Sequence, residues 1–206
     1  MLSPAKEKMI LRRISLLRHV PFIRLAVLSG SCATGEARDG SDIDLIIGVE
    51  NGRVYLCRAF TLLFCDLLGV RNKPPLAERD KLCLSHFAGM SGLKMNDPEN
   101  SYEEKSYPFL LPVYGEPSAC AAFLQSNAHV IKKFPDYRQS PFYVGKSRRF
   151  SALLIEKILS GRFGDFLETQ ARDLQVKKIW KYAGALSGKT RVITRPNRVE
   201  TYYSVF

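Results

Sequence analysis

No stretch of the sequence approaches the roughly eighteen consecutive apolar residues that a membrane-spanning helix requires, so no membrane span is expected. The opening segment, MLSPAKEKMILRRISLLRHV, interleaves basic and apolar side chains. It reads as a short amphipathic helix, and a cleaved secretory leader is not expected. The five cysteines (Cys32, Cys57, Cys65, Cys83 and Cys120) lack any CxxC spacing, which argues against a zinc site or a redox pair. Free, mostly buried thiols in a reducing, cytoplasmic setting are the expectation. The Gly-Lys-Ser/Thr ending of a P-loop is missing around the N-terminal glycines, and the glycines lack the spacing of a dinucleotide fingerprint. Gly188-Lys189-Thr190 is too bare a match to count as one. Internal repeats and low-complexity segments are absent too.

What is present is positive charge, unevenly placed. The net charge is +11, yet residues 1–137 carry 17 basic and 15 acidic side chains while residues 138–206 carry 14 and five. The basic character belongs to the last third, where it could face a polyanion or simply be solvated.

The 206 residues suffice for one domain, or one domain with an extension. Met9, Ile10, Ile14, Leu16 and Leu17 recur at helical spacing and predict a helix over 6–19, ending near Pro21. Residues 22–29 read as an apolar strand, followed by a loop holding Gly30, Gly35 and Gly40. Residues 42–49 read as a second strand. Asn51-Gly52 is a turn signal, and Leu56, Phe60, Leu63, Phe64, Leu67 and Leu68 mark a helix over 53–69. KLCLSHFAG reads as a third strand. The resulting division is a core over 1–90, an irregular proline-rich connection over 91–117, and a basic helical region with a tail over 118–206. The fold class is α/β (α+β), a small mixed sheet flanked by helices. Beyond the connection, 117–134 reads as helical, with Ala122, Phe123, Val130 and Ile131 packing, and two further helices are expected over 151–159 and 163–180. Phe163, Phe166 and Trp180 fit a packed face, although aromatics among lysines and arginines also suit nucleic acid. The order of the last twenty residues is not legible.

The informative stretch is LAVLSGSCATGEARDGSDIDLIIGV. Side chains alternate along a strand, so Asp42 and Asp44 point to one face while Ile43 and Leu45 point to the other. Two carboxylates on one face repel unless a cation joins them, and Mg2+ (or Mn2+) suits hard oxygen ligands beside a phosphate. Gly30 permits close approach of a phosphate to the backbone, and Ser31 offers an N–H and a hydroxyl. Together they point to a metal–phosphate site for a triphosphate. Arg38 and Ser41, in the intervening loop, are further candidates for phosphate contact, and Arg24 is a weaker one.

Gly30-Ser31, Gly35, Ser41, Asp42, Ile43, Asp44 and Leu45 in this order resemble the signature of the nucleotidyltransferase superfamily that includes DNA polymerase beta. In detail the sequence is similar to the small prokaryotic, minimal-type nucleotidyltransferase-domain proteins with a helical C-terminal extension. The resemblance covers roughly residues 20–90. It implies metal-dependent transfer of a nucleoside monophosphate from a nucleoside triphosphate (ATP among the donors) to a hydroxyl-bearing acceptor: RNA or tRNA, a protein, or a small molecule. Asp42 and Asp44 would then be catalytic and metal-binding, with Gly30, Ser31, Arg38 and Ser41 at the nucleotide. The family usually adds a third carboxylate on a later strand, and KLCLSHF has none. Asp80 just before it, His86 within it, and Asp97, Glu103 and Glu104 beyond it are the candidates to compensate. The alternative is a weak or inactive nucleotide- or nucleic-acid-binding protein of the same fold, including a toxin–antitoxin component by family analogy. The partial apolar faces of the first and last helices suit a homodimer or docking within the chain.

Overall fold

The computed structural model describes residues 2–73, 79–99, 101–132, 136–145, 148–185 and 190–203. Among them are seven α-helices and six strands, and the strands form one mixed sheet. Helix α1 (Pro4–Ser15) starts where Ser3 Oγ accepts the Lys6 N–H and Pro4 opens the first turn. A 3₁₀ turn over Leu16–His19 leads into β1 (Ile23–Ser29), the five-residue helix α2 (Gly30–Thr34) and β2 (Ile43–Val49). Helix α3 (Val54–Leu67) crosses over to β3 (Leu82–Gly89), which pairs parallel with β2; every other strand pair is antiparallel. A crossover helix between parallel strands is what that connection needs.

Alternation along β2 divides the core. Ile43, Leu45, Ile47 and Val49 pack with Ile10, Ile14, Leu17, Val54 and Tyr55 on one face of the sheet. On the other face Ile46 packs with Leu25, Val27, Ala88, Phe123 and Leu124. Asp42 and Asp44 share the face of Ile46 and lie at its edge.

The connection over 91–117 holds two short elements, α4 (Ser101–Ser106) and β4 (Leu111–Gly115). Strand β4 is a sheet edge beside β1 in the order β4-β1-β2-β3-β6-β5, and an edge tolerates Pro112, which has no N–H to give. Helix α5 (Pro117–Ser126) ends where the buried Asn127 amide donates to the carbonyls of Phe123 and Leu93 and its oxygen accepts the Met95 N–H. Phe123, Val130 and Ile131 pack as expected, whereas Ala122 is exposed.

Helices α6 (Phe150–Ile158) and α7 (Arg162–Ala185) lie where helical spacing predicts them, but Phe163, Phe166 and Trp180 are more than half exposed. Ile179, Leu167, Ala171 and Val176 of α7 pack on the core, and polar anchors join α7 to α3. The Glu168 carboxylate accepts the N–H groups of Tyr55 and Leu56 at 2.8 Å each and so caps the first turn of α3 from outside, and Gln175 bonds Tyr55 O and the Arg58 guanidinium. The aromatic side chains are left on the outer surface.

Residues 190–203 form a hairpin, β5 (Thr190–Arg195) and β6 (Arg198–Tyr203), and β6 pairs with β3. His86 anchors it. The ring is buried against Glu200, its register partner, and Arg198 also reaches that carboxylate. Burial lowers the His86 pKa to about 4, and the Glu200 charge only partly opposes this. A histidine with a folded pKa below its unfolded 6.5 binds fewer protons in the folded state, so stability is lost as pH falls from 6.5 towards 4. Urea unfolding across that window should show a decline of roughly 3 kcal/mol, flattened in His86→Gln. An equal slope in both proteins would refute the assignment.

Among the described residues no helix is long and apolar enough to cross a membrane. The five cysteines are free, and four of them are buried.

Candidate active site

Strand pairing builds the site. Ser29 lies opposite Asp44 in the antiparallel register of β1 and β2, so the chain leaves β1 beside the second aspartate. Gly30 follows with φ of +63°, a left-handed conformation that favours glycine. A Cβ on Gly30 would overlap Asp44 Oδ2 and lie 2.9 Å from the Tyr102 hydroxyl. Ser31 is half-buried in the short helix α2, which Gly35 ends in the left-handed region with its N–H on Ser31 O. The Gly-Ser bend and the Asp-x-Asp strand thus meet at one place.

The loop back to β2 is held from the N-terminal helix. Lys6 is buried, and its Nζ donates to the Ser41 carbonyl and to Asp80 Oδ1 at 2.6 Å. Asp80 also accepts the Gly40 N–H at 3.2 Å, and the Lys6 hydrogen bond holds its carboxyl below the usual range. Lys6→Met should lower stability by about 1–2 kcal/mol, since Asp80 keeps its access to water. The exposed Lys8→Met is the control, and equal melting temperatures for the two variants would rule out the anchor.

Both aspartates are raised above the ordinary carboxylate pKa of 3.8, chiefly by burial. Asp42 accepts a hydrogen bond from the Asn72 amide, while its Oδ1 is buried with no hydrogen-bond partner. Asp44 accepts from the Tyr102 hydroxyl at 3.3 Å, and the Cys83 thiol beside it donates to the Ser85 hydroxyl. Cys83 is the register partner of Asp44 on β3, and burial followed by the Asp44 charge pushes its thiol far up, so it stays protonated. These donors fit a hard divalent cation: two carboxylates from one strand face, both costly to ionise alone, and one orphaned oxygen. Among the described residues no His, Cys, Asp or Glu joins them as a third ligand.

Residues 10–83 match the family model for the nucleotidyltransferase domain. This segment is a nucleotidyltransferase domain of the polymerase beta-like superfamily. The mixed sheet with flanking helices is consistent with that fold, and the domain implies a nucleoside triphosphate as substrate. Comparison with curated proteins and with solved structures gave no match.

The match ends at Cys83, before α4 and Tyr102. Gly30, Ser31, Asp42 and Asp44 come together in the candidate site. Arg38 is exposed, and the Ser41 hydroxyl accepts the Arg38 N–H at 2.9 Å, closing the loop on itself. Asp80 stands beside the loop as the partner of Lys6. His86 lies on the site's sheet face but further along β3, tied to Glu200. Asp97 and Glu104 are exposed, and the buried Glu103 accepts the Glu99 N–H at 2.8 Å. Arg24 sits at the other end of β1, paired with Glu50 and Glu156. Sequence reasoning missed Lys6, Asn72, Cys83 and Tyr102. Only Cys83 carried a signal, being the residue on the third strand where a carboxylate was sought.

Proposed function

We propose that the protein is a divalent-cation-dependent nucleotidyltransferase that moves a nucleoside monophosphate from a nucleoside triphosphate to a hydroxyl-bearing acceptor. The convergence of the Gly30 bend with Asp42 and Asp44 carries this reading. Asp42 and Asp44 would hold Mg2+ or Mn2+. When bound, the cation neutralises triphosphate charge and the charge that develops on the leaving pyrophosphate. Gly30 leaves the backbone open to a phosphate, and the N–H and hydroxyl of Ser31 supply donors. Partial burial of the two carboxylates strengthens the site's electrostatic interactions. The exposed Lys177, Lys178 and Lys181 lie on α7, which packs on α3 across the sheet from the two aspartates, so RNA, protein and small molecules all stand as acceptor classes for the test.

Incubation with each labelled nucleoside triphosphate, a divalent cation, and RNA, protein or polyhydroxyl compounds tests the reading. Cation-dependent label on one acceptor class, with release of pyrophosphate, is the expected result. The thiol of Cys83 in place of a carboxylate opposite Asp44 favours a second reading, a binder without turnover. Cation-dependent triphosphate binding with neither label nor pyrophosphate would select it.

A further inference from the structure

The short helix α4 packs against α2 and delivers one side chain to the nucleotide site. The Tyr102 hydroxyl lies 3.3 Å from Asp44 Oδ2 and 2.9 Å from the point where a Gly30 side chain would begin. Hydroxyl, carboxylate and bend therefore share one spot, the spot that a cation and its phosphate would need. Tyr102 as a whole is 49% exposed, so only its tip is wedged in and the ring borders water. The helix is also held by other residues: Glu103 and Ser106 are buried. A χ1 rotation into solvent would free Asp44 while α4 stayed in place.

We infer that Tyr102 is a positioning residue that latches the site: its hydroxyl holds Asp44 while no cation is bound, and yields the carboxylate when a cation binds. This rests on the cation role proposed above for Asp44. A phenol proton aimed at Oδ2 competes with a cation for the same oxygen. Removing the donor leaves Asp44 without that partner only in the cation-free state. The latch would keep the site ordered and closed to weak adventitious ligands until the cation arrives.

Tyr102→Phe keeps the ring and deletes the hydroxyl. Titration with Mn2+ by calorimetry should show binding about tenfold tighter than in the native protein, since a hydrogen bond to a charged group no longer has to be broken. Thermal unfolding supplies a second readout. The variant should melt lower than the native protein without Mn2+, and the gap should close or reverse at saturating Mn2+. Equal or weaker Mn2+ affinity, or the same melting loss with and without Mn2+, would overturn the latch while leaving the cation site intact. If neither protein binds Mn2+, with or without a nucleoside triphosphate, the cation reading fails and the latch with it.

Discussion

Gly30→Ala should cost on the order of 100-fold in nucleotidyl transfer, because a methyl group there displaces Asp44 or Tyr102 by an ångström or so. The same change should lower stability by about 2 kcal/mol, since residue 30 adopts a φ of +63° that alanine takes up only at a cost. Two separate penalties act at one position, and they predict different recoveries. Lower temperature or a stabilising osmolyte would restore folding without restoring transfer. Turnover assays on the folded variant, checked by circular dichroism, separate them. A folded Gly30→Ala protein with native turnover would mean that the contact between bend and carboxylate has no part in the chemistry.

Asp44→Asn should abolish transfer and at the same time stabilise the cation-free protein. Losing a carboxylate that holds the cation removes several kcal/mol of transition-state charge stabilisation, roughly 1000-fold in rate. The stability gain has a different origin. Asp44 is raised above 3.8, chiefly by burial, so the folded state binds its proton more tightly than the unfolded chain. Folded stability therefore falls as pH rises through the raised value, and at neutral pH the buried charge is a net cost. An amide of the same shape relieves it, by about 1–2 kcal/mol at pH 8 and by nothing at acid pH. Denaturant unfolding at both pH values checks the sign. A destabilised Asp44→Asn protein at pH 8 would show that the hydrogen bond from Tyr102 outweighs burial.

The core of the site was legible because local rules govern it. Alternation along β2 sends Ile43 and Leu45 into the core and Asp42 and Asp44 to the other face, and nothing distant is needed to see that. Helix α3 and strand β3 were equally plain from periodicity. The site residues that were missed depend on long-range placement. Lys6 reaches Asp80 across 74 residues, and Tyr102 reaches Asp44 across 58, distances over which a single sequence carries no pairing signal. Strand β4 hid behind Pro112, which argues against a strand everywhere except at an edge. The terminal hairpin was not legible, because its basic, polar strands carry little apolar alternation and its partner β3 shows only in the His86–Glu200 register. Phe163, Phe166 and Trp180 misled because helical spacing of aromatics looks the same whether the face is covered or bare.

The central claim is that the bend and the two aspartates share a single ligand, a divalent cation carried on a triphosphate. Calorimetric titration of a nucleoside triphosphate into the protein with Mn2+, with chelator, and into Asp42→Asn/Asp44→Asn with Mn2+ tests it directly. Saturable binding in the first case alone is the predicted result. Triphosphate binding that survives chelation, or that the double variant retains undiminished, would contradict it.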